Sequence, residues 1–417
     1  MSTQRPSRGT RSNIDRIQQT TTEPAQGRLW TTDFVLTLLV AHFLFTSFAG
    51  LYTVIPLFVV DRGGDVWHVG VVIGSMGVTG LAVRPFAGRW IQSFGPKRVA
   101  VLGSAVFGIA TLAHMLAFNF WLIIPARMVQ GMGLALTPVA TATIVANLAP
   151  VHRRGEAMSV IGNAIATATM YSPVLGFWLF SRFGFGAAFA YTGVAALVGG
   201  GFALALSALR VRGQPSSGPT PKAPFFSKSA LFPTAVFLCY TVTTAPVSTF
   251  LPILAEDRDL GNPGLYFTVM SLVSIFFMVG AGPAADRLGR AAVIVPGMLF
   301  VATGMFVLTG ATNQIMLLSA AFLAGGGFGL VQPGIQSLTI DRAPTGERSS
   351  ALATLQGAWD VGGFGGAIAF GPLAGVIGVA ATFATAGAVA LAGAAGFVTG
   401  IVKGSAPAAQ TEDRAKR

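Results

Sequence analysis

Three ionisable side chains lie inside long apolar stretches of the chain, where they could do acid–base chemistry. Asp360, in the segment Trp359-Asp360-Val-Gly-Gly, is the only acid well inside such a stretch, and Arg127 and His42 lie inside two others. A charged residue at the centre of a membrane helix costs about 3 kcal/mol on insertion scales, so it is a functional candidate by default. We expect Asp360 and His42 to exchange protons and Arg127 to tune their proton affinity.

Asp360, Arg127 and a fourth ionisable residue, Arg84, also have structural explanations. Asp360 could form a fixed salt bridge or a hydrogen bond between packed helices. Arg127 could bind neighbouring carbonyl oxygens and extend its guanidinium toward the membrane surface. Arg84 lies one turn from the predicted end of its helix, so extension toward the surface is the simpler explanation for it.

Neutral polar side chains recur at steps of three or four residues in several apolar stretches, which places them on shared helix faces. They could line a solute cavity or form hydrogen bonds between packed helices. Their mixture with aromatic rings suits a neutral or cationic, partly apolar solute better than a phosphorylated one. The cavity candidates are Thr46, Thr53, Gln130, Asn163, Thr167, Tyr171, Tyr240, Thr244, Gln332, Gln336, Gln356 and Trp359.

The composition indicates a membrane protein. Soluble domains carry about 25% charged residues, whereas this chain of 417 residues carries 10%, with 53% hydrophobic residues and 53 glycines. Apolar surface is the correct exterior in lipid, and glycine lets membrane helices approach closely. Runs of about 20 apolar residues predict spanning helices. The twelve predicted spans are 32–59, 68–88, 98–117, 119–147, 157–180, 187–209, 231–254, 264–283, 292–311, 314–340, 350–376 and 378–402.

The positive charges predict the orientation of these helices. Of the 27 Lys and Arg residues, 22 fall on the side of the two termini, three fall on the opposite side, and Arg84 and Arg127 fall within spans. Cytoplasmic loops carry the excess of Lys and Arg, so both termini are expected in the cytoplasm. The net charge of +12 is spread over short loops, which argues against a nucleic-acid partner. The first 30 residues are polar, which is unlike a cleavable signal peptide.

The two halves of the chain repeat one another. The segment Thr53-Val-Ile-Pro56 returns 196 positions later as Thr249-Phe-Leu-Pro252, and each is followed five positions on by an Asp-Arg pair. Parallel repeats of six helices describe one transporter architecture. The predicted regions are an N-terminal tail 1–31, a first six-helix half 32–209, a cytoplasmic linker 210–230, a second half 231–402 and a C-terminal tail 403–417.

Two repeated loops carry a family resemblance. The segment Gly282-Pro-Ala-Ala-Asp286-Arg287-Leu-Gly289-Arg290 resembles the signature loop of the major facilitator superfamily. The first half has a related loop in which glutamine replaces the aspartate of the family. The glycines are expected to permit a tight cytoplasmic turn, and the aspartate to pair with arginine or a helix end. The predicted gating residues are Gly88, Gln92, Gly95, Gly282, Asp286, Arg287, Gly289 and Arg290.

Two further segments resemble signatures of the same superfamily. Arg127-Met-Val-Gln130-Gly131-Met-Gly133 resembles the fourth-helix motif, which is associated with proton coupling. Ser172-Pro173-Val-Leu-Gly176 resembles the antiporter motif of the fifth helix, but serine replaces its first glycine. The resemblance therefore implies export only as a preference.

This resemblance implies an all-α membrane protein with twelve helices in two repeated halves, the major facilitator fold. The implied function is secondary transport by alternating access, most similar to bacterial drug and sugar-efflux proton antiporters. The protein is expected to be a monomer in the inner membrane that moves a small organic solute and protons across the bilayer. Uptake by a symporter or a facilitator remains the alternative.

Other function classes lack the residues that they need. The chain has no phosphate-binding loop of the P-loop type, no nucleophile motif and no metal-ligand spacing. Its single cysteine, Cys239, excludes an internal disulfide. We therefore expect no enzyme activity, no cofactor and no bound metal.

Overall fold

A computed structural model describes residues 29–150, 153–207, 227–344 and 347–415. Within them, twelve helices are long and apolar enough to cross a membrane, which confirms the predicted fold. The helices are α1 Thr32–Asp61, α2 Val66–Phe94, α3 Pro96–Leu116, α4 Phe120–Leu148, α5 Glu156–Phe183, α6 Phe185–Ala205, α7 Lys228–Asp257, α8 Gly264–Ala285, α9 Ala291–Thr309, α10 Gln314–Arg342, α11 Ser350–Ile377 and α12 Val379–Gly400.

Several helix ends differ from the sequence-based boundaries. Helix α2 was predicted to end at residue 88, but it continues past Pro85 and Gly88 to Phe94 and is capped by Gly95. Helix α8 continues to Leu288, and α12 continues to Ala415 through most of the predicted tail 403–417. Most of the predicted linker 210–230 lies outside the described residues.

Glycines with positive φ end four helices at positions that repeat between the halves. Gly95 (φ 84°) and Gly289 (φ 88°) follow α2 and α8, and Gly184 (φ 80°) and Gly378 (φ 85°) follow α5 and α11. Each pair is separated by the same 194 positions. Residues that carry a Cβ atom rarely adopt a positive φ, so glycine is favoured at each of these turns.

Close packing within each half also repeats. A Cβ atom on Gly133 of α4 would lie 2.5 Å from the carbonyl oxygen of Gly103 in α3. Its counterpart on Gly327 of α10 would lie 2.7 Å from the carbonyl oxygen of Gly297 in α9. Small residues thus bring the backbones of α4 and α3, and of α10 and α9, into direct contact. The sequence repeat is therefore a structural repeat of two helical bundles.

Candidate functional site

The two halves meet mainly along two pairs of helices, α2 with α11 and α5 with α8, with smaller contacts from α7 to α1 and α2. For orientation, the terminal side is the side on which α1 begins and α12 ends, and the far side is the opposite one. Between α2 and α11 the contact is formed by glycine on the far side. A Cβ on Gly70 would clash with the carbonyl oxygen of Ala367 and lie 2.8 Å from Cα of Gly371. A Cβ on Gly77 would clash with the side chain of Phe364.

The α5–α8 contact is held by hydrogen bonds from side chains of the second half to backbone carbonyls of the first. The hydroxyl of Thr268 donates to the carbonyl oxygen of Met170 at 2.5 Å. The amide of Asn262, just before α8, donates to the carbonyl oxygen of Val174 at 3.4 Å. Both bonds lie on the far side, so this end of the interface between the halves is closed.

Thr268→Val should weaken this closure. The substitution removes the bond to the Met170 carbonyl, and hydrogen bonds between membrane helices contribute about 0.6 kcal/mol on average. We expect the population with an open far side to rise about threefold, measured by spin-label distances between the far ends of α5 and α8. Thr303→Val is the matched control, since its hydroxyl bonds to the carbonyl of Leu299 within the same exposed helix surface. Equal populations in both variants would contradict the assignment.

On the terminal side the same four helices are separated. A Cβ built on Gly88 of α2, Gly162 of α5, Gly282 of α8 or Gly357 of α11 would meet no atom within 4 Å. The glycines of the far side, by contrast, are in direct contact with the opposite half. The structure therefore has a cleft that is open on the terminal side and closed on the far side.

An ion pair joins the halves at the inner end of this cleft. Arg84 Nη1 of α2 lies 2.6 Å from Asp360 Oδ2 of α11. The Asp360 side chain is 8% exposed, whereas the Arg84 side chain is 39% exposed. The carboxylate is therefore covered, whereas the Arg84 side chain is partly exposed although its Nε atom is buried.

The depth of Arg84 explains why it does not extend to the membrane surface. Because α2 ends at Phe94 and not at residue 88, Arg84 is ten residues from the helix end. At 1.5 Å per residue this is about 15 Å. Asp360 lies at the same depth in α11, ten residues after Ser350. The sequence-based explanation of Arg84 by surface extension is thus wrong, since the side chain pairs with Asp360 inside the span.

Asp360 begins one turn of π-helix, Asp360–Gly365, inside α11. Such turns are rare and occur frequently at functional sites. The turn packs on α7, where the hydroxyl of Thr241 donates to the carbonyl oxygen of Ala358 at 2.7 Å. A Cβ on Gly362 would clash with Thr241. The glycine-rich sequence after Asp360 thus lets α7 approach closely and fixes the position of the carboxylate.

His42 belongs to a hydrogen-bonded group between α1 and α5. Its Nδ1 lies 2.9 Å from the carbonyl oxygen of Ala164, so Nδ1 carries the hydrogen. Its Nε2 lies 3.0 Å from the hydroxyl of Tyr171, which is 2.8 Å from the hydroxyl of Thr46. A neutral imidazole is fully paired in this arrangement.

Arg127 is enclosed within the first half. It is 3% exposed, and its Nη1 donates to Gln130 Oε1 at 3.1 Å. Gln130 Nε2 donates in turn to the hydroxyl of Thr111 in α3 at 2.6 Å. Among the described residues, no carboxylate pairs with Arg127. The structure therefore does not bring Arg127 together with Asp360.

The cavity candidates fall into three groups by exposure. Three of them are exposed and five are partly buried, whereas four are buried by helix packing. Thr53 in the last group donates to the carbonyl oxygen of Pro173 at 3.2 Å, and Tyr240 stacks on Phe237 with ring centroids 5.6 Å apart. The exposed group is Asn163, Thr167 and Gln356, the partly buried group is Tyr171, Thr244, Gln332, Gln336 and Trp359, and the buried group is Thr46, Thr53, Gln130 and Tyr240.

The predicted gating loops are mostly helical. Gly88 and Gln92 lie within α2 and Gly282 lies within α8, so only Gly95 and Gly289 form the expected turns. The side chain of Asp286 lies outside the described part of the chain, and Arg287 is exposed. Arg290 Nε lies 3.1 Å from Asp341 Oδ2 at the end of α10.

Ser172, which replaces a glycine of the antiporter motif, ties α5 to α1. Its hydroxyl donates to the carbonyl oxygen of Thr46 at 2.5 Å and lies 3.1 Å from the hydroxyl of Tyr191. Gly176, one turn further, keeps the close contact, since a Cβ there would lie 2.5 Å from the carbonyl oxygen of Gly50. This segment therefore packs closely on α1 through Gly176 and is tied to it by a hydrogen bond from Ser172.

The family of the chain follows from its sequence as well as from this fold. The sequence model of the Major Facilitator Superfamily matches residues 37–367 and 234–417. The chain belongs to the Major Facilitator Superfamily. It is therefore a membrane transporter with several spans, and it is related to bacterial drug-efflux proteins.

Two relatives in the superfamily align with most of this chain at low sequence identity. An uncharacterized MFS-type transporter of Methanocaldococcus jannaschii is 22% identical over 354 residues, which cover 81% of this chain and 90% of the relative. The multidrug resistance protein MdtL of Shigella flexneri is 26% identical over 299 residues, which cover 68% of this chain and 74% of the relative.

Solved structures of the superfamily share the fold. A mutant form of the nucleoside transporter NupG aligns with a TM-score of 0.73 at 13% identity, covering 88% of this chain and 99% of NupG. The peptide transporter POT in complex with sulfate aligns with a TM-score of 0.72 at 13% identity, covering 90% of this chain and 94% of POT.

Proposed function

We propose that this superfamily member exports a small organic solute in exchange for protons, by alternating access between its two halves, residues 32–209 and 231–402. The observation that carries this proposal is the buried Asp360 carboxylate, which pairs with Arg84 across the halves at the inner end of the cleft. An ionisable group inside the membrane, at a cavity between repeats, is where coupling ions and substrates meet in transporters of this kind.

The orientation follows from the charge distribution. The side of the termini holds 22 Lys and Arg residues and the far side holds three, so the terminal side is the cytoplasm. The cleft then opens to the cytoplasm, and the structure is the inward-facing state. An exporter takes up its solute in this state. Both termini are cytoplasmic, and the chain acts as a monomer in the inner membrane.

Exchange requires that proton and solute exclude each other at one site. Asp360 provides this site, because a carboxyl group that holds a proton has lost the charge and one acceptor position that a solute would use. A proton bound from the far side is carried inward and released, and the solute then binds from the cytoplasm. His42, with Tyr171 beside the cleft, is a second group that could hold a proton, and Arg127 acts from within the first half.

Two observations support export of a partly apolar solute. Relatives carry the name multidrug resistance protein, and the exposed and partly buried cavity candidates are neutral and partly aromatic. We therefore propose a neutral or cationic organic molecule as the solute.

Uptake is the second candidate function, and one residue favours it. Ser172 stands where antiporters of the superfamily have glycine, and its hydroxyl bonds to α1. A symporter or facilitator would use the same cleft and fold.

Transport in proteoliposomes decides between these functions. An imposed pH gradient is combined with a panel of tetraphenylphosphonium, neutral aromatic amides and disaccharides, and solute movement is followed with and without an ionophore that collapses the gradient. Export by exchange predicts that one solute class moves against the proton flow, and only while the gradient exists. Movement with the proton flow would establish symport, and movement indifferent to the gradient would establish a facilitator.

A further inference from the structure

Arg84 contacts the proposed proton site but has no counterpart among the motifs of the sequence. Its partner belongs to the other half of the chain, so the ion pair is a bond between the two bodies that must move apart and together. We infer that Arg84 is a positioning residue that locks the empty, unprotonated carrier in the inward-facing state. This inference rests on the proposed function, since it assigns a regulation to the same carboxylate.

The place of the pair along the interface supports a lock. On its far side, α2 and α11 are already in contact through Gly77 and Phe364. On its terminal side, Gly88 and Gly357 face open space. The pair therefore lies at the boundary between the closed part of the interface and the open cleft. Rocking of the halves would change the separation of α2 and α11 at this point.

The environment of the ion pair makes it sensitive to a proton or a solute bound at Asp360. The carboxylate is fixed by the π-helical turn against α7, where Gly362 packs on Thr241, while the guanidinium extends from a helix of the other half. Exposed ion pairs contribute little to stability, but breaking a buried pair by removing one partner is strongly destabilising, because it leaves an uncompensated buried charge. This pair is intermediate, with the Asp360 side chain covered and the Arg84 side chain partly open.

The lock has a function in exchange. A carrier that returned empty and unprotonated would let solute or protons pass without coupling. While Asp360 is ionised and unoccupied, Arg84 holds the halves in place. A proton on the carboxylate, or a solute that takes the place of the guanidinium, removes the ion pair and frees the halves to move. Arg84 thus links occupancy of the site to the rearrangement.

Spin-label distances test the lock directly. Labels at Met158 and Leu288, both exposed near the terminal ends of α5 and α8, report the opening in purified full-length protein with Cys239 replaced by serine. In the parent protein without solute the long, cytoplasm-open distance should dominate. In Arg84→Gln we expect the ratio of closed to open populations to rise about tenfold, which corresponds to roughly 1.4 kcal/mol.

Matched variants separate a lock from a general disturbance of α2. Arg89→Gln removes an exposed arginine from the same helix and should leave the distances unchanged. Arg84→Lys should restore most of the open population, because it keeps the charge. Arg84→Gln combined with Asp360→Asn should resemble Asp360→Asn alone, since the two residues act through one pair.

Two results would overturn the inference. One is an Arg84→Gln distribution equal to that of Arg89→Gln in protein that remains folded and monodisperse. The other is additive shifts in the double variant. Neither result bears on proton exchange itself, which is tested by solute movement driven by the pH gradient. A lock without pH-driven movement would instead refute the proposed function and leave the role of Arg84 intact.

Discussion

Asp360→Asn should abolish solute export driven by a pH gradient while leaving exchange of solute for solute intact. Asparagine keeps the size of the side chain and its place on the π-helical turn, but it neither releases a proton nor pairs ionically with Arg84. The carrier then retains its cleft and loses the step that couples it to protons. Both activities are measured in the same proteoliposomes, with the solute that the panel identifies.

A second acid provides the control for this substitution. Asp341 also pairs with an arginine, Arg290, but its side chain is 53% exposed at the end of α10. Asp341→Asn removes an ion pair of the second half without touching the cleft, so export should persist. Undiminished pH-driven export by Asp360→Asn would show that the proton is carried elsewhere, with His42 as the next candidate.

Gly70→Ala should prevent closure of the far side and reduce transport at least tenfold. The added methyl would clash with the carbonyl oxygen of Ala367 and lie 2.8 Å from Cα of Gly371, so backbone would have to move. Overpacking of this kind costs about 1–3 kcal/mol, and the cost arises only in the inward-facing state. The equilibrium should therefore shift toward the outward-facing state.

Accessibility to a reagent that does not cross membranes measures this shift. A cysteine at Thr244, which is partly buried on α7, should react from the far side faster in Gly70→Ala than in the parent protein. Gly375→Ala is the matched control, because it lies one turn beyond Gly371 on α11 and a Cβ there meets no atom within 4 Å. Equal reaction rates in the two variants would contradict closure by Gly70.

Much of the fold could be predicted from the sequence, because the thickness of the hydrocarbon core sets the length of the apolar run that each spanning helix needs. Although α8 and α12 continue beyond their spans to Leu288 and Ala415, eleven of the twelve membrane spans end within about four residues of their predicted limits. Helix α2 is the exception. The glycines of the predicted loop were expected to form the turn there, yet the helix continues through Gly88 to Phe94 and is ended by Gly95, where φ is positive.

The wrong end of α2 is the reason why the sequence analysis did not pair Arg84 with Asp360. With α2 ending at residue 88, Arg84 lay within reach of the membrane surface. With α2 ending at Phe94, Arg84 and Asp360 are opposite charges at equal depth in different halves. Comparison of the depths of charged residues across helices is the signal that could have paired them.

The neutral polar side chains on shared helix faces were harder to interpret. Their periodicity predicts that they lie on one face of a helix, but it does not predict what that face contacts. The hydroxyl of Tyr171 bonds to both His42 and Thr46, and Gln130 bonds within its own half. Asn163 and Thr167 on the same helix as Tyr171 are exposed. Only the packing of neighbouring helices separates residues that hold the bundle together from those that face the cleft.

Proton release on solute binding is the most direct test of proton–solute exclusion at Asp360. Purified transporter in weakly buffered solution receives the solute over a range of pH, and the proton change is recorded for the parent protein and for Asp360→Asn, with binding measured in parallel. We predict that the parent protein releases a proton where the carboxyl group is protonated, and that Asp360→Asn binds solute without release. Binding to the parent protein with no release, or with proton uptake, would contradict exchange at Asp360.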